Sequence, residues 1–286
     1  MPTVSVIIPA YNAGKFLEET VRSVLDQSYS DFEIVICDDG SADNTAEVAK
    51  AITDARVKYI HQKNAGVSAA RNNGAKNSTG KLLAFLDADD IFYRDNLQKK
   101  VDALLKNPGA GMAFADCDVI DGAGKKTGEV LTGKAENTLH DLLLWNGTVV
   151  PGPSSILVTR EAFDTVNGFD TQFSTAADQD FFFRLAHQFG CIRVPEVLTA
   201  YRKHGSNMHM NIALMERDHI GVYEKAAANR LFSSASFRRK CFGNLYLILA
   251  GSWWVNGNNK SRGFKFMRKA VASNPALIFK LFGKLV

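Results

Sequence analysis

Along the first hundred residues, short apolar runs rich in β-branched side chains alternate with stretches whose apolar positions recur every three or four residues. VSVIIPA, residues 4–10, is one such run, closed by Pro9, and predicts a strand buried on both faces. Phe16, Leu17, Val21, Val24 and Leu25 then share one helical face, with Asn12 as the expected cap and a stop near Gln27 to Tyr29. The form repeats as a strand from Phe32 to Cys37, the turn residues Asp38, Asp39 and Gly40, and a helix through Ala46, Val48, Ala49 and Ile52. VKYIHQ predicts a third strand, Gly66 to Lys76 a third helix and KLLAFLD a fourth strand. Such alternation implies right-handed crossovers and an α/β fold with a Rossmann-like, mostly parallel sheet flanked by helices. Ligands of these sheets bind beyond the carboxyl ends of the strands. Three of those ends carry Tyr11-Asn12, Asp38-Asp39 and Asp87-Asp89-Asp90, so a nucleotide site is expected on one rim.

Composition bounds the alternatives. The 286 residues, 46% hydrophobic and 22% charged, suit one large domain, or one domain with an appendage. Seven prolines and no biased tract or repeat leave little room for disorder. Cys37, Cys117, Cys191 and Cys241 lie far apart without C-x-x-C spacing, which speaks against a disulfide framework or a zinc site and predicts buried free thiols in a reducing compartment. No basic segment followed by a cleavable apolar stretch opens the chain. Leu245 to Val255 falls short of the roughly 20 residues a spanning helix needs. A soluble or peripheral cytoplasmic protein is therefore expected. The net charge of +4 is unevenly divided: residues 202–286 carry a local +12 against −8 in the preceding 201.

The run LLAFLDADDIF, residues 82–92, ends an apolar strand in three carboxylates within four positions. Like charges this close raise one another's pKa, so a fold keeps them only where cations, hydrogen bonds or solvent compensate. A metal, a basic group and plain water are the candidates. Asn64, Gly66 and Arg71 stand at the start of the third predicted helix, where an exposed N-terminus attracts phosphate and a guanidinium fork pairs with phosphate or carboxylate oxygens. A surface ion pair is the plainer reading of Arg71, and helix capping that of Asp38 and Asp39.

VSVIIPAYN, DDGSADNT, GVSAARNNG, FLDADD and ADQDFFFRL, in that order over about residues 3–205, resemble the family 2 glycosyltransferases of the GT-A fold. The resemblance implies transfer of a sugar from a nucleoside diphosphate sugar with inversion at the anomeric carbon. It places Tyr11, beside Pro9 and Asn12, against the nucleobase, Asp39 on a base N–H, Asp38 at the turn or the ribose, and Asn64, Gly66 and Arg71 near the donor. Asp87-Ala88-Asp89 is the family's D-x-D, in which pleat alternation would bring both carboxylates to one cation. Asp89 is then the ligand of Mn²⁺ or Mg²⁺, Asp87 reaches the ribose or a metal-bound water, and Asp90 orients the cluster. Asp178 matches the family's catalytic base, with Asp180 after it as a substrate contact; Ala177 stands where an acidic neighbour is usual. Ser154 and Ser155 fall on the acceptor-side strand, as contacts to the acceptor or donor sugar or as ordinary strand-edge serines. YRKHGSN, residues 201–207, resembles the closing motif, making His204 a contact for metal or phosphate, or a structural histidine.

On this reading residues 1–108 form the nucleotide-sugar half, 109–208 the acceptor and base half, and 209–286 a basic helical C-terminal extension. From Ala226 onward there are 11 Lys or Arg and no acid. One or two helices, another over GFKFMRKAVASN, and an amphipathic end with Leu277, Ile278, Leu281 and Leu285 on one side are expected. Basic residues beside Trp253, Trp254 and several Phe suit peripheral contact with an anionic bilayer that presents a lipid-linked or glycan acceptor, a helical lid packed on the core being the alternative. Other functions fit less well. An aspartyl phosphatase would carry Thr or Val, not Asp90, after the second aspartate. A dinucleotide dehydrogenase would need a G-x-G-x-x-G turn in place of Tyr11-Asn12-Ala13. A binding module without a base conflicts with Asp178, and no nucleic-acid module accompanies the basic residues. A metal-dependent inverting transferase using a UDP-sugar in surface polysaccharide synthesis is the expectation; the resemblance implies no donor sugar, linkage or oligomeric state.

Overall fold

Every residue of VSVIIPA is buried in strand β1, Val4–Ala10, as a run apolar on both faces requires. The computed structural model describes residues 2–145, 147–204 and 211–277. Helix α1, Leu17–Leu25, follows β1, then strand β2, Phe32–Asp38, helix α2, Thr45–Ala51, and strand β3, Val57–His61. Helix α3, Val67–Lys76, and strand β4, Leu82–Phe85, complete the alternating half. These four strands pair in parallel in the order β3-β2-β1-β4, as the alternation predicts. Pro9 is tolerated in a central strand for a local reason. The β1–β4 ladder ends at Ile7, whose carbonyl accepts from Leu86 N–H at 3.0 Å, so the edge toward which Pro9 offers no N–H has no partner strand to serve.

Beyond β4 the sheet is mixed. Strand β5, Ile91–Phe92, leads to helix α4, Asn96–Lys106, strand β6, Ala110–Ile120, and strand β7, Lys126–Leu131. Helix α5, Thr138–Leu144, a 3₁₀ turn at Pro153–Ser155, strand β8, Ile156–Thr159, helix α6, Arg160–Thr165, helix α7, Ala177–Gln188, and strand β9, Gly190–Arg202, follow. The full order is β3-β2-β1-β4-β8-β6-β9-β5, with β7 on β6. β8 runs antiparallel to both β4 and β6, while β9 is parallel to β6. The parallel expectation thus holds where crossover helices intervene.

Asn12 does not cap α1. It sits at φ +50°, and its Oδ1 accepts from Ala42 N–H at 2.8 Å, tying the loop after β1 to the loop after β2. Glu18 and Glu19 occupy the first turn of α1 instead, where negative charge complements the helix dipole. All four cysteines are free, Cys191 being half-buried and the others buried.

The C-terminal segment forms helices α8, Ile212–Ala228, α9, Ala235–Val255, and α10, Lys260–Ser273, capped by Asn211, Ser234 and Asn259. They share a hydrophobic core with the sheet: Tyr223, Leu245, Leu249 and Phe266 join the cluster that holds Phe85, Phe114 and Phe181. Among the described residues no helix is long and apolar enough to cross a membrane. Trp253 is buried, its Nε1–H donating to Glu216 at 2.8 Å, so it does not join Trp254 as an interfacial aromatic. Gly205–Asn207 of the expected closing motif, and Ile278, Leu281 and Leu285 of the expected amphipathic end, lie outside the described residues.

Gly74 lets α3 lie directly on the sheet. A Cβ there would overlap Ile7 Cγ2 and touch Cys37 Cβ at 3.8 Å. Ile7 is β-branched in a fully buried strand and cannot turn away. Gly74→Ala would gain about 1 kcal/mol of helix propensity but incur about 1–3 kcal/mol of overpacking. A lower urea midpoint at unchanged slope is the expected outcome.

Candidate active site

The carboxyl ends of β1, β2 and β4 meet at one rim. Past β2, Asp38 is buried and accepts from Ser41 N–H at 2.9 Å and Tyr59 O–H at 2.8 Å. Burial raises its pKa, but these hydrogen bonds outweigh it and leave the carboxyl below its ordinary value. Asp38 therefore supports the turn. Asp39 is also buried and accepts from Gln62 Nε2 at 2.7 Å and from the N–H groups of Ala65 and Gly66 at 2.8 Å each. Neither caps α2. Asp39 instead fixes the loop entering α3, where Gly66 has φ +90°, a conformation that favours glycine, and Asn64 is exposed. Tyr11, beyond buried Pro9, is 56% exposed at the same rim.

Arg71 rises from α3 with 5% of its surface exposed. Its Nη2 lies 2.6 Å from Asp87 Oδ1, the guanidinium stands 5.1 Å from the Phe169 ring centroid, and Nε is buried without a partner. This is a built ion pair, not a surface one. β4 ends at Phe85, two residues before Asp87, so the pleat does not extend into the carboxylate triplet. A turn closed by Asp90 N–H to Asp87 O at 3.0 Å replaces it, and the three side chains part company.

Asp87 goes to Arg71. Asp89 Oδ2 meets His204 Nε2 at 2.7 Å, where burial first and Asp87 second raise its pKa against the pull of His204. Asp90 is buried, accepting from Arg202 N–H at 2.9 Å and from Ser154 Oγ–H. Burial and the charges of Asp89 and Asp87 push its carboxyl well above the usual range. Thr20 Oγ–H donates to the carbonyls of Ala88 and Asp90 at 3.0 and 2.9 Å, locking the turn from below. Arg202 Nε–H donates to Asp89 O at 2.7 Å. Asp90 has the orienting place expected of it, and Thr20 and Arg202 are the clamps that the motif itself did not disclose.

Two expected contacts turn inward. Ser155 is fully buried and donates to Gly152 O at 2.7 Å; its neighbour Ser154 instead accepts Asp87 N–H at 3.1 Å and reaches Asp90. Asp180 is buried, held by Arg184 Nε at 2.8 Å and Lys225 Nζ at 2.9 Å, because two residues along a helix face nearly opposite ways. Asp178 is half-buried on the wall of a cavity of about 390 Å³, with Trp145, Gln179, Phe182 and His219 around it. Burial raises its pKa, against the opposing charge of Arg71 and with a further rise from Asp87, so the base candidate and the triplet turn lie within electrostatic reach.

The glycosyl transferase family 2 profile matches residues 5–166, more than half of the chain. The chain belongs to that family. It is 34% identical over 218 residues to an uncharacterized glycosyltransferase of Nostoc, covering 73% of this chain and 67% of the relative. An uncharacterized glycosyltransferase of Rickettsia conorii is 48% identical over 105 residues, of whose length the chain covers 17%. UDP-Glc:alpha-D-GlcNAc-diphosphoundecaprenol beta-1,3-glucosyltransferase WfgD of Escherichia coli is 39% identical over 105 residues, 36% of this chain and 42% of that one. Among solved structures, Staphylococcus aureus TarS residues 1–349 in complex with UDP-GlcNAc superposes with a TM-score of 0.68 at 15% identity, over 94% of this chain and 79% of TarS. The mannosyltransferase PcManGT of Pyrobaculum calidifontis, bound to GDP-Man and Mn²⁺, gives 0.65 at 19% identity, over 99% and 80%. The fold is accordingly GT-A.

Ser154→Ala leaves Asp87 N–H unpaired and removes a donor from buried Asp90, a loss of about 1–3 kcal/mol. Because the folded-state pKa of Asp90 is raised, its ionisation opposes folding as pH rises through that value. The stability deficit measured by thermal denaturation should be smallest in acid and grow toward neutral pH.

Proposed function

We propose that this family 2 enzyme is a metal-dependent inverting transferase that uses a UDP-sugar donor. The observation that carries the reading is the Arg71–Asp87 pair, which joins the rim bearing Tyr11 and Asp39 to the carboxylate of Asp178. Tyr11 offers an exposed ring to the nucleobase, and Asp39 presents the loop of Asn64 and Gly66 to it. Arg71, whose guanidinium holds Asp87 at the rim, offers positive charge to the diphosphate. Complexes of TarS with UDP-GlcNAc and of PcManGT with GDP-Man support a nucleotide-sugar donor.

Among the described residues no group of three or more His, Cys, Asp or Glu is arranged to hold a metal ion. Asp89 and His204 nevertheless face each other at 2.7 Å, each side chain partly exposed. Such a two-donor set fits Mn²⁺ or Mg²⁺, which commonly take one or two protein ligands and fill the remaining positions with phosphate oxygens and water. Bound there, the cation would stabilise negative charge on the departing diphosphate. Asp87, held by Arg71, would reach the ribose or a metal-bound water.

Asp178 is the base. It takes the proton of the acceptor hydroxyl as the oxygen attacks the anomeric carbon opposite the diphosphate. Burial raises its pKa above the ordinary aspartate value, which strengthens it as a base, and Arg71 limits the rise. We place a lipid-linked glycan as acceptor, in line with the acceptor named for WfgD, in surface polysaccharide synthesis. Arg238, Arg239 and Lys240, exposed at the start of α9 in a segment without acids, are the surface for anionic lipid.

Asp178→Asn should keep UDP affinity and lose transfer at least a thousandfold, and the acid limb of wild-type kcat/KM should lie above the ordinary aspartate range. Asp89→Ala should lose transfer whatever Mn²⁺ is supplied; normal turnover in either variant removes the assigned role. Reversing Arg238, Arg239 and Lys240 to Glu should weaken sedimentation with phosphatidylglycerol vesicles, and undiminished binding would take the lipid surface off this patch.

A further inference from the structure

Trp145 ends α5 in the left-handed region, at φ +52°, where a bulky side chain is an outlier that the surroundings must hold in place. Its half-buried indole lies against the imidazole of His219 from α8, with centroids 4.9 Å and planes 20° apart. Both rings line the cavity into which Asp178 opens, and its volume of about 390 Å³ is within the range of small-molecule sites.

The cavity has a distinct polarity. His219 Nδ1 lies 2.9 Å from Met215 O, and a carbonyl can only accept, so Nδ1 carries the proton. In the neutral ring Nε2 is then a bare acceptor. Burial favours that neutral form, against Met215 and the charges of Asp178 and Asp218. Asp218 is itself engaged by Ser174 N–H, Thr175 N–H and Arg217. An aromatic wall beside an acceptor nitrogen and one carboxylate matches a sugar ring, which has apolar C–H faces and a rim of hydroxyl donors.

We infer that this cavity is the acceptor subsite: a pyranose packs against Trp145, and His219 Nε2 accepts a hydrogen bond from a ring hydroxyl other than the one Asp178 deprotonates. The inference rests on Asp178 being the base. It also locates acceptor choice partly in α8, outside the matched residues 5–166.

The test uses the full chain with UDP and Mg²⁺, titrated with the methyl glycosides of glucose, galactose, mannose and N-acetylglucosamine while the tryptophan indole N–H resonances are followed by NMR. Trp145→Phe identifies the Trp145 signal. At least one glycoside should move that signal. His219→Phe, which keeps an aromatic ring against Trp145 but has no acceptor nitrogen, should weaken binding about tenfold without changing UDP affinity. If His219→Phe fails to fold, His219→Leu, which has no acceptor atom, should show the same weakening. No movement of the Trp145 signal while UDP binds normally would overturn the subsite, and an unchanged glycoside affinity in a folded His219 variant would overturn the contact. Glycoside binding without UDP binding would keep the subsite and remove the donor reading instead.

Discussion

Three carboxylates within four residues repel one another, and much of this fold is arranged to offset that repulsion. The turn after β4 separates Asp87, Asp89 and Asp90 toward three unlike partners: Arg71 on α3, His204 after β9, and the paired donors Ser154 and Arg202 N–H. The partners come from three parts of the chain: α3, the 3₁₀ turn before β8, and the end of β9. Were the turn a continued strand, Asp87 and Asp89 would face the same side with little between them. Breaking the pleat lets one carboxylate hold a guanidinium, one remain at the surface of the cleft, and one be buried as a fastener.

The same device links both halves of the molecule. Arg202 lies at the end of β9, next to its partner strand β6, yet its guanidinium reaches Glu19 of α1 at 2.7 Å and lies 4.8 Å from the Phe16 ring centroid. Phe16 in turn lies 5.3 Å from His204. Segments almost two hundred residues apart thus converge beside Asp89. Arg202 is buried but Glu19 is 54% exposed, so this pair adds little net stability and fixes geometry more than it strengthens the fold.

The first half of this architecture was legible in the sequence because its signal is local: β-branched runs alternate with helical periodicity, and the resulting strands are parallel. The second half was less so. β5 has only two residues, and β6, β8 and β9 pair in mixed directions that no local pattern encodes. Type and spacing brought Asp39, Arg71 and Asp89 to one rim but could not tell which side of a turn a residue faces; hence Ser155 and Asp180 were expected in the cleft and lie in the core. Asn12 looked like a cap because capping residues and left-handed turn residues share a composition. Trp145 and His219 carried no motif. Only the backbone angle of one and the stacking of both single them out, and both depend on tertiary contacts.

Because Tyr223, Leu245 and Phe266 complete the core that begins with Phe85 and Phe114, the helices after β9 are not a detachable appendage. Exchanging them between relatives to build chimeras would bring two unmatched surfaces together, along α5 and α7. A lineage acquiring a new C-terminal segment would have to change the faces of those two helices in step, so divergence in one region should leave a matching trace in the other.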